Sequence, residues 1–497
     1  MPNSNIAVWV ADRATADPHL PAIKQGETIL SYTALDGASS RFATVLAERG
    51  VGAGHRVALI MPNVAYFPVA YYAILRVGAI VVPMNPLLKA GEIAFAWQDS
   101  GAKVAVVFPL FADEATKAAA TTGTEVIVTV PGEFESLLAA AAPTPQVALV
   151  EPEDTAVILY TSGTTGQPKG AELSHANLRT NVLSTVETLM PNGPGDVLFG
   201  GLPLFHSFGQ TCGLNAAMAG GACLTLLPKF DSEQALQLIV EDRVTIFLGV
   251  PTMYMGLLAV RDVSRFDTST VKVGASGGAS LPVEVLHGVE RTFGFGLLEG
   301  YGLSETSPVA SFNHPDRPTK PGSVGTPIRG VEFALLDVDG QEVGEGEIGE
   351  IVIRGENVMK GYWKRPEETA EAMRGGWFHT GDLATRDADG YYFIVDRVKD
   401  MIIRNGFNVY PREVEEVLYT HPAVAEAAVL GIPDAVHGEE VAALVTLKEG
   451  ASASEEELRN YVAEQIAAYK YPRVVRFGTL PKGPTGKILK REITIEP

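Results

Sequence analysis

The segment Tyr160-Thr-Ser-Gly-Thr-Thr-Gly-Gln-Pro-Lys-Gly170 gathers three glycines, three threonines, a serine and a lysine. Glycine lets a backbone turn sharply and present its N–H groups without a Cβ in the way. Thr161, Ser162, Thr164 and Thr165 add hydroxyl donors, Gly163 and Gly166 the turns, and Lys169 a positive charge. Such a set can wrap a polyphosphate. It is not a Walker A loop, because Gln167-Pro168 stands where Lys-Ser/Thr would follow, and Pro168 and Gly170 discourage an immediate helix. A plain surface turn would account for the glycines and the proline but not for the hydroxyls and the lysine.

Other segments carry complementary chemistry. In Glu299-Gly-Tyr-Gly-Leu-Ser-Glu-Thr306, the Tyr301 ring could stack on a purine, and Gly300 and Gly302 permit its close approach. Glu305 is a hard oxygen ligand suited to Mg²⁺ on phosphates. Alone, the same residues would also make a turn with a solvated acid. Gly274-Ala-Ser-Gly-Gly-Ala279 has too few side chains to fill space; it forms a slot for a flat ring or an acyl chain, and equally a tight turn. Asp382, in His379-Thr-Gly-Asp-Leu383, can accept both hydroxyls of a ribose, and Arg397, in Asp396-Arg-Val-Lys-Asp400, can donate to the same sugar. Lys487 ends Pro481-Lys-Gly-Pro-Thr-Gly-Lys487, a loop bracketed by turn residues that presents a localised cation on a long reach. Lys482 and Lys490 read as solvated.

These residues need a scaffold, and the chain is long enough for several cores. Its 497 residues exceed the roughly 100–200 of one domain. With 46% hydrophobic and 20% charged residues it can bury a large interior. The first half alternates short apolar strands (Arg56–Met61, Val104–Phe108, Glu125–Val130, Thr155–Tyr160) with helical stretches, which predicts an α/β fold of layered, mainly parallel sheets. From about 330 to 396 glycine-punctuated alternating strands predict a β-rich subdomain. A small α+β domain then spans 397–497, in which Ser454-Glu-Glu-Glu457 is a capping box opening a helix through Ala468. Residues 1–396 thus form a large N-terminal domain.

Thirty-nine basic against 59 acidic residues leave a net charge of −20, which argues against a nucleic-acid partner. The two cysteines, Cys212 and Cys223, have no metal or redox spacing; they read as buried thiols in a reducing compartment. The N-terminal segment has neither a basic n-region nor an apolar core, and no run reaches the roughly 18 apolar residues that span a bilayer. The expectation is a cytoplasmic monomer or homodimer without an integral membrane segment, peripheral contact with a membrane remaining open.

The phosphate loop resembles the signature of the acyl-adenylate-forming superfamily, which includes acyl-CoA ligases, amino-acid adenylation domains and firefly-type luciferases. The other motifs follow in that family's order from about residue 30 to 490. The resemblance implies ATP, Mg²⁺ and coenzyme A as cofactors. It assigns the stretch Thr161–Gly166 to the phosphates, Tyr301 with Glu299, Gly300 and Gly302 to the adenine, Thr306 to the neighbourhood of the α-phosphate, and Gly278 and Ala279 to the nucleotide. Asp382 and Arg397 clamp the ribose, and Thr161 and Glu305 hold the metal. Lys487 aligns with the adenylation lysine, Lys169 helps pyrophosphate leave, Lys399 aligns with the interdomain hinge, and Gly406 with the loop that meets coenzyme A. His206 stands beside the reacting carboxylate, in a catalytic or a structural role. Met253, Tyr254 and Gly277 line the acyl pocket, although Met253, like Met255, Leu257 and Leu258, suits a core equally well.

The implied reaction explains why no nucleophilic side chain is needed. A carboxylate has no good leaving group. Attack on the α-phosphorus of ATP makes an acyl-AMP, and the thiol of coenzyme A then displaces AMP, so positioning and charge neutralisation carry the rate. The carboxylate itself is less legible. Phe205-His-Ser-Phe208 lacks the aspartate that holds an amino acid's amine in relatives, and Ile403 replaces the lysine of luciferases. Gly256 stands where malonate-activating relatives place an arginine, the nearest here being Arg261. Met253, Met255, Leu257 and Leu258 suit an apolar tail, each buried CH₂ contributing about 0.8 kcal/mol. A medium- to long-chain fatty acid is therefore the first expectation, an aryl acid the second and malonate the third. The alternative of another class is an acyl-AMP ligase feeding a carrier protein, but the insertion that such ligases usually carry before the small domain is not apparent near 390–400. An inactive binding relative is disfavoured by Lys487 itself.

Overall fold

A computed structural model describes residues 3–144, 146–161, 167–434 and 436–495. Ser162, Gly163, Thr164, Thr165 and Gly166, the middle of the phosphate loop, lie outside the described residues. Mixed α/β layering is observed, with four sheets among the described residues.

The apolar runs of the first half become the interior strands of two large sheets. In the seven-stranded sheet, Thr155–Thr161, Ile80–Met84, Arg56–Ile60, Ala102–Val107 and Glu125–Val128 run parallel. In the nine-stranded sheet, Gly296–Gly302, Val273–Ser276, Ile246–Gly249, Val197–Gly200, Cys223–Leu226 and Pro21–Gln25 do the same. Such strands are apolar on both faces because helices or a second sheet cover each side. One extended core, including Phe67, Tyr71, Val157, Leu224 and Leu248, joins the two sheets.

The β-rich subdomain is a four-stranded antiparallel sheet of Val331–Leu336, Gly349–Gly355, Phe378–Arg386 and Tyr392–Arg397. A separate core around Val414, Val429 and Val445 underlies the last sheet, whose long antiparallel pair is Val424–Asp434 and Gly438–Leu447.

Local expectations meet the structure unevenly. Ser454 and Glu457 form the capping box, each side chain bonded to the other's backbone N–H at 3.0 and 3.3 Å. The helix they open ends at Ala463, short of Ala468. The strand Gly296–Gly302 runs through the Tyr301 motif, so Tyr301 lies on a strand and not on a turn. Cys212 and Cys223 are buried, and burial pushes both thiols up to about 12. No helix among the described residues is long and apolar enough to cross a membrane.

Candidate active site

The phosphate loop is flanked by an antiparallel pair, Thr155–Thr161 running in and Lys169–Ser174 running back. Strand return is how the chain accommodates Pro168 and Gly170, which discourage a helix there. Gly170 leaves no room for a side chain: a Cβ would lie 2.7 Å from Ile158 Cγ2. Thr161 and Lys169 are therefore held opposite each other across the loop's mouth, directly paired in the register.

The strand Gly296–Gly302 delivers the second group. Gly300 and Gly302 are sterically required, since a Cβ would lie 2.3 Å from the Phe312 ring at the first and 1.8 Å from the Pro308 carbonyl at the second. Tyr301 between them is half-buried, edge-on to Phe333. Its hydroxyl donates to Asp382 Oδ2 at 2.6 Å, while Arg397 Nε lies 3.1 Å from Asp382 Oδ1. Asp382 and Arg397 are directly paired across Phe378–Arg386 and Tyr392–Arg397. Tyr301, Asp382 and Arg397 thus form one assembly from three elements, in which each carboxylate oxygen retains a lone pair for a ligand hydroxyl.

Glu305 sits in the short 3-10 turn Ser304–Thr306, buried. Its Oε1 accepts from the Tyr362 hydroxyl at 3.0 Å and stands 3.5 Å from Thr161 Oγ1. Burial raises its carboxyl above the usual range, opposed by its own backbone N–H, Tyr362 and Thr161. Among the described residues no group of three or more His, Cys, Asp and Glu side chains could hold a metal by itself. Mg²⁺ suits this poverty: it is commonly held by one or two carboxylates, with phosphate and water completing its octahedron. Glu305 and Thr161 are oxygen donors of the right kind beside the phosphate loop.

Lys487 is brought in by the small domain. Thr252, on the helix Pro251–Leu258, donates from its hydroxyl to the Gly486 carbonyl at 3.0 Å. Lys487 is exposed to solvent, although protein atoms crowd round its ammonium. Loss of water pulls its ammonium down to about 8; Arg397 and Lys399 push the same way, and Asp382 and Asp400 oppose them. His206 is near enough to feel that charge. Burial first, then Lys487, lowers its imidazole to about 4, so it is neutral near pH 7. Its Nδ1 accepts from the Phe208 N–H at 3.3 Å, which leaves the proton on Nε2, free to donate.

Several other residues take different places. Glu299 carries a buried carboxyl that accepts from the Leu281 N–H at 2.9 Å, its other oxygen unpartnered, and burial raises it to about 7. Thr306 is completely buried and bonded to the Leu303 N–H and the Pro308 carbonyl, which shapes the turn holding Glu305. Tyr254 is a core residue: its hydroxyl donates to the Ala275 carbonyl at 2.8 Å and its ring packs on Phe247. Met253 is buried. Gly277 faces the Phe208 ring, 3.4 Å from where a Cβ would be, and Gly278 turns at φ +78° beside Val250, with Ala279 half-exposed after it. Lys399 is exposed in the turn after Arg397. Asn405 and Gly406, both at positive φ, make the tip of a hairpin between Ile402–Arg404 and Phe407–Val409. Lys490 is not solvated: it pairs with Glu415 at 2.7 Å. Tyr362 was not singled out from the sequence, because nothing local marks a tyrosine in Gly361-Tyr-Trp as facing a site.

Known proteins carry the same architecture. The pattern of the family described as AMP-binding enzyme matches residues 10–363, and that of the AMP-binding enzyme C-terminal domain matches 413–487. The long-chain-fatty-acid–CoA ligase of Bacillus subtilis (strain 168) is 36% identical, over 100% of this chain and 95% of its own. A feruloyl-CoA synthase of an Amycolatopsis species is 39% identical over 99% of each. The crystal structure of an anthranilate CoA ligase in complex with anthranoyl-AMP superposes with a TM-score of 0.93 at 30% identity, over 98% of this chain and 96% of that one. The chain belongs to the AMP-binding enzyme family and is an AMP-forming acid–thiol ligase that uses ATP and coenzyme A.

Proposed function

We propose that this ligase activates a medium- to long-chain fatty acid, with the residues assembled above in the roles their geometry suits. Neutral His206 and Lys487 receive the carboxylate and the α-phosphate, where two anions must meet. Lys487 neutralises both as the carboxylate oxygen attacks phosphorus. Tyr301, Asp382 and Arg397 orient the nucleoside, and Lys169 balances charge on the departing pyrophosphate. Glu305 and Thr161 would hold Mg²⁺, which when bound neutralises phosphate charge. Residues from about 397 onward then swing about Lys399, withdrawing Lys487 and presenting the Gly406 hairpin to the coenzyme A thiol.

The observation that carries the choice of acid is the apolar surface beyond that polar head. The Phe208 ring lies against Gly277, and Val250 against Gly278. A second carboxylate would find no partner in Arg261, which is 83% exposed and paired with Glu449. Nor does position 256 offer one, since Gly256 backs onto Ser232 Oγ, 2.5 Å from where a Cβ would lie. An unpaired buried carboxylate is strongly disfavoured. An aryl acid is the second reading, supported by the Phe208 ring as a stacking face and by the feruloyl and anthranilate specificities named for two relatives. Pyrophosphate release should be measured over C6–C18 fatty acids, benzoates, cinnamates and malonate, with and without coenzyme A. The highest kcat/KM on C8 or longer acids, with turnover requiring coenzyme A, is the expected result. A preference for cinnamates or benzoates installs the aryl reading, and accumulation of acyl-AMP indifferent to coenzyme A installs a carrier-directed ligase.

A further inference from the structure

Tyr362 is fastened from several sides. Its strand, Gly361–Tyr362, pairs with Lys169–Ser174, and Tyr362 stands opposite Ala171. The Tyr362 N–H donates to Thr369 Oγ1 at 2.9 Å and the Trp363 N–H to the Gly170 carbonyl at 2.7 Å. Just beyond, Trp363 Nε1 and Lys364 Nζ donate to the Asp99 carbonyl at 3.2 and 2.7 Å. Arg365 bonds one oxygen of the Asp99 carboxylate at 2.9 Å, and the Tyr160 hydroxyl donates to the other at 2.7 Å. A backbone tied at so many points gives the tyrosine ring little freedom. The ring lies between opposite charges: the hydroxyl donates to Glu305 Oε1 at 3.0 Å, and Lys169 Nζ is 5.2 Å from the ring centroid. The Thr161 hydroxyl, at 3.5 Å, is too distant to orient the same carboxylate well. Tying one carboxylate oxygen leaves the other available to a ligand, and the negative face of the ring attracts the ammonium.

We propose that Tyr362 is a positioning residue for the metal–triphosphate chemistry: its hydroxyl sets the Glu305 carboxylate, its ring face sets the Lys169 ammonium, and one side chain thereby spaces the group that takes the cation from the group that takes the phosphate. The inference rests on the assignment of Glu305 to the divalent ion. Tyr362→Phe separates positioning from packing, because it keeps the ring and removes one oxygen. The test uses the full-length enzyme, with ATP affinity measured by calorimetry in EDTA and in Mg²⁺, and Mn²⁺ binding to the enzyme–ATP complex followed by EPR. For Tyr362→Phe, ATP affinity in EDTA stays within about twofold of the parent. The gain in affinity from Mg²⁺ shrinks about tenfold, and half-saturation by Mn²⁺ rises by a similar factor, as befits one hydrogen bond to a charged group. Tyr362→Leu also weakens ATP about threefold in EDTA, through loss of the ring under Lys169. An unchanged Mg²⁺ gain in Tyr362→Phe overturns the proposal, as does an equal loss with and without metal, which marks simple packing. Glu305→Gln separates the two levels. If it abolishes the Mg²⁺ gain while Tyr362→Phe retains it, only the role of Tyr362 falls. If Glu305→Gln itself retains the gain, the metal assignment falls and the proposal with it.

Discussion

Replacing Gly486 by alanine should slow adenylation and spare thioester formation. Gly486 turns at φ +79°, and a Cβ built on it would lie 2.8 Å from Thr252 Oγ1 and 3.0 Å from Val250 Cγ2. Two penalties follow, and they act on different states. The left-handed backbone costs an alanine about 1 kcal/mol wherever the Pro481–Lys487 loop retains its shape, docked or withdrawn, so it cancels from the comparison. The crowding exists only while the loop rests on the helix Pro251–Leu258; relieving it costs about 1–3 kcal/mol. The strained bond from Thr252 to the Gly486 carbonyl accounts for about 1 kcal/mol more. The docked state is thus disfavoured by about 2–4 kcal/mol, which is roughly 30- to 1000-fold in the first half-reaction. Pyrophosphate exchange reads that step; thiol consumption with supplied acyl-AMP reads the second, which should change by less than about threefold. Thr252→Ala removes the crowding oxygen, so in that background Gly486→Ala should cost at least about 1 kcal/mol less. Equal losses in both half-reactions, or a strictly additive double-mutant cycle, would refute the reasoning.

Four further outcomes are expected. Lys487→Ala should abolish pyrophosphate exchange while thioester formation from acyl-AMP persists; parallel loss of both steps contradicts the division of labour. In the parent, kcat/KM for ATP in that exchange should fall above pH about 8, where the Lys487 ammonium deprotonates. The sign for docking is opposite: the charged lysine disfavours its crowded position below about 8, and the disfavour fades between there and 10.5. A flat profile to pH 9.5 would show that the lysine is not depressed. Glu299→Gln should stabilise the fold at pH 8 and not at pH 4.5. The Glu299 carboxyl, raised from 4.5 to about 7, favours folding in its protonated form, so that contribution is lost as pH rises through this window. The gap corresponds to about 3 kcal/mol at most, read as a higher melting temperature at pH 8, and an unchanged or lower one contradicts the burial penalty. Asp382→Asn should raise the KM for ATP about 10- to 100-fold, since it weakens the tie to Arg397 and removes the charge that receives ribose hydroxyls; an effect confined to kcat would place Asp382 outside nucleoside binding.

Residue type and short-range spacing determined a good deal by themselves. Glycine content and hydroxyls mark the phosphate loop because turn geometry and donor supply are properties of contiguous residues. The capping box at Ser454 is read the same way, from two side chains three positions apart. Alternating apolar strands and helical stretches determined the layered α/β class, since burial of one face repeats with the period of each element. Element ends were less legible, as at Ala463, because a helix stops where its apolar face runs out of partners. Only the tertiary structure decided which polar groups meet. Tyr362 reaches Glu305 across 57 positions and Tyr301 reaches Asp382 across 81. It also decided that Tyr254 belongs to the core, that Lys490 is paired and that Glu299 is buried without a full set of partners. Those outcomes depend on which distant surfaces are excluded from water together, and desolvation is a property of the packed whole that no local stretch of sequence carries.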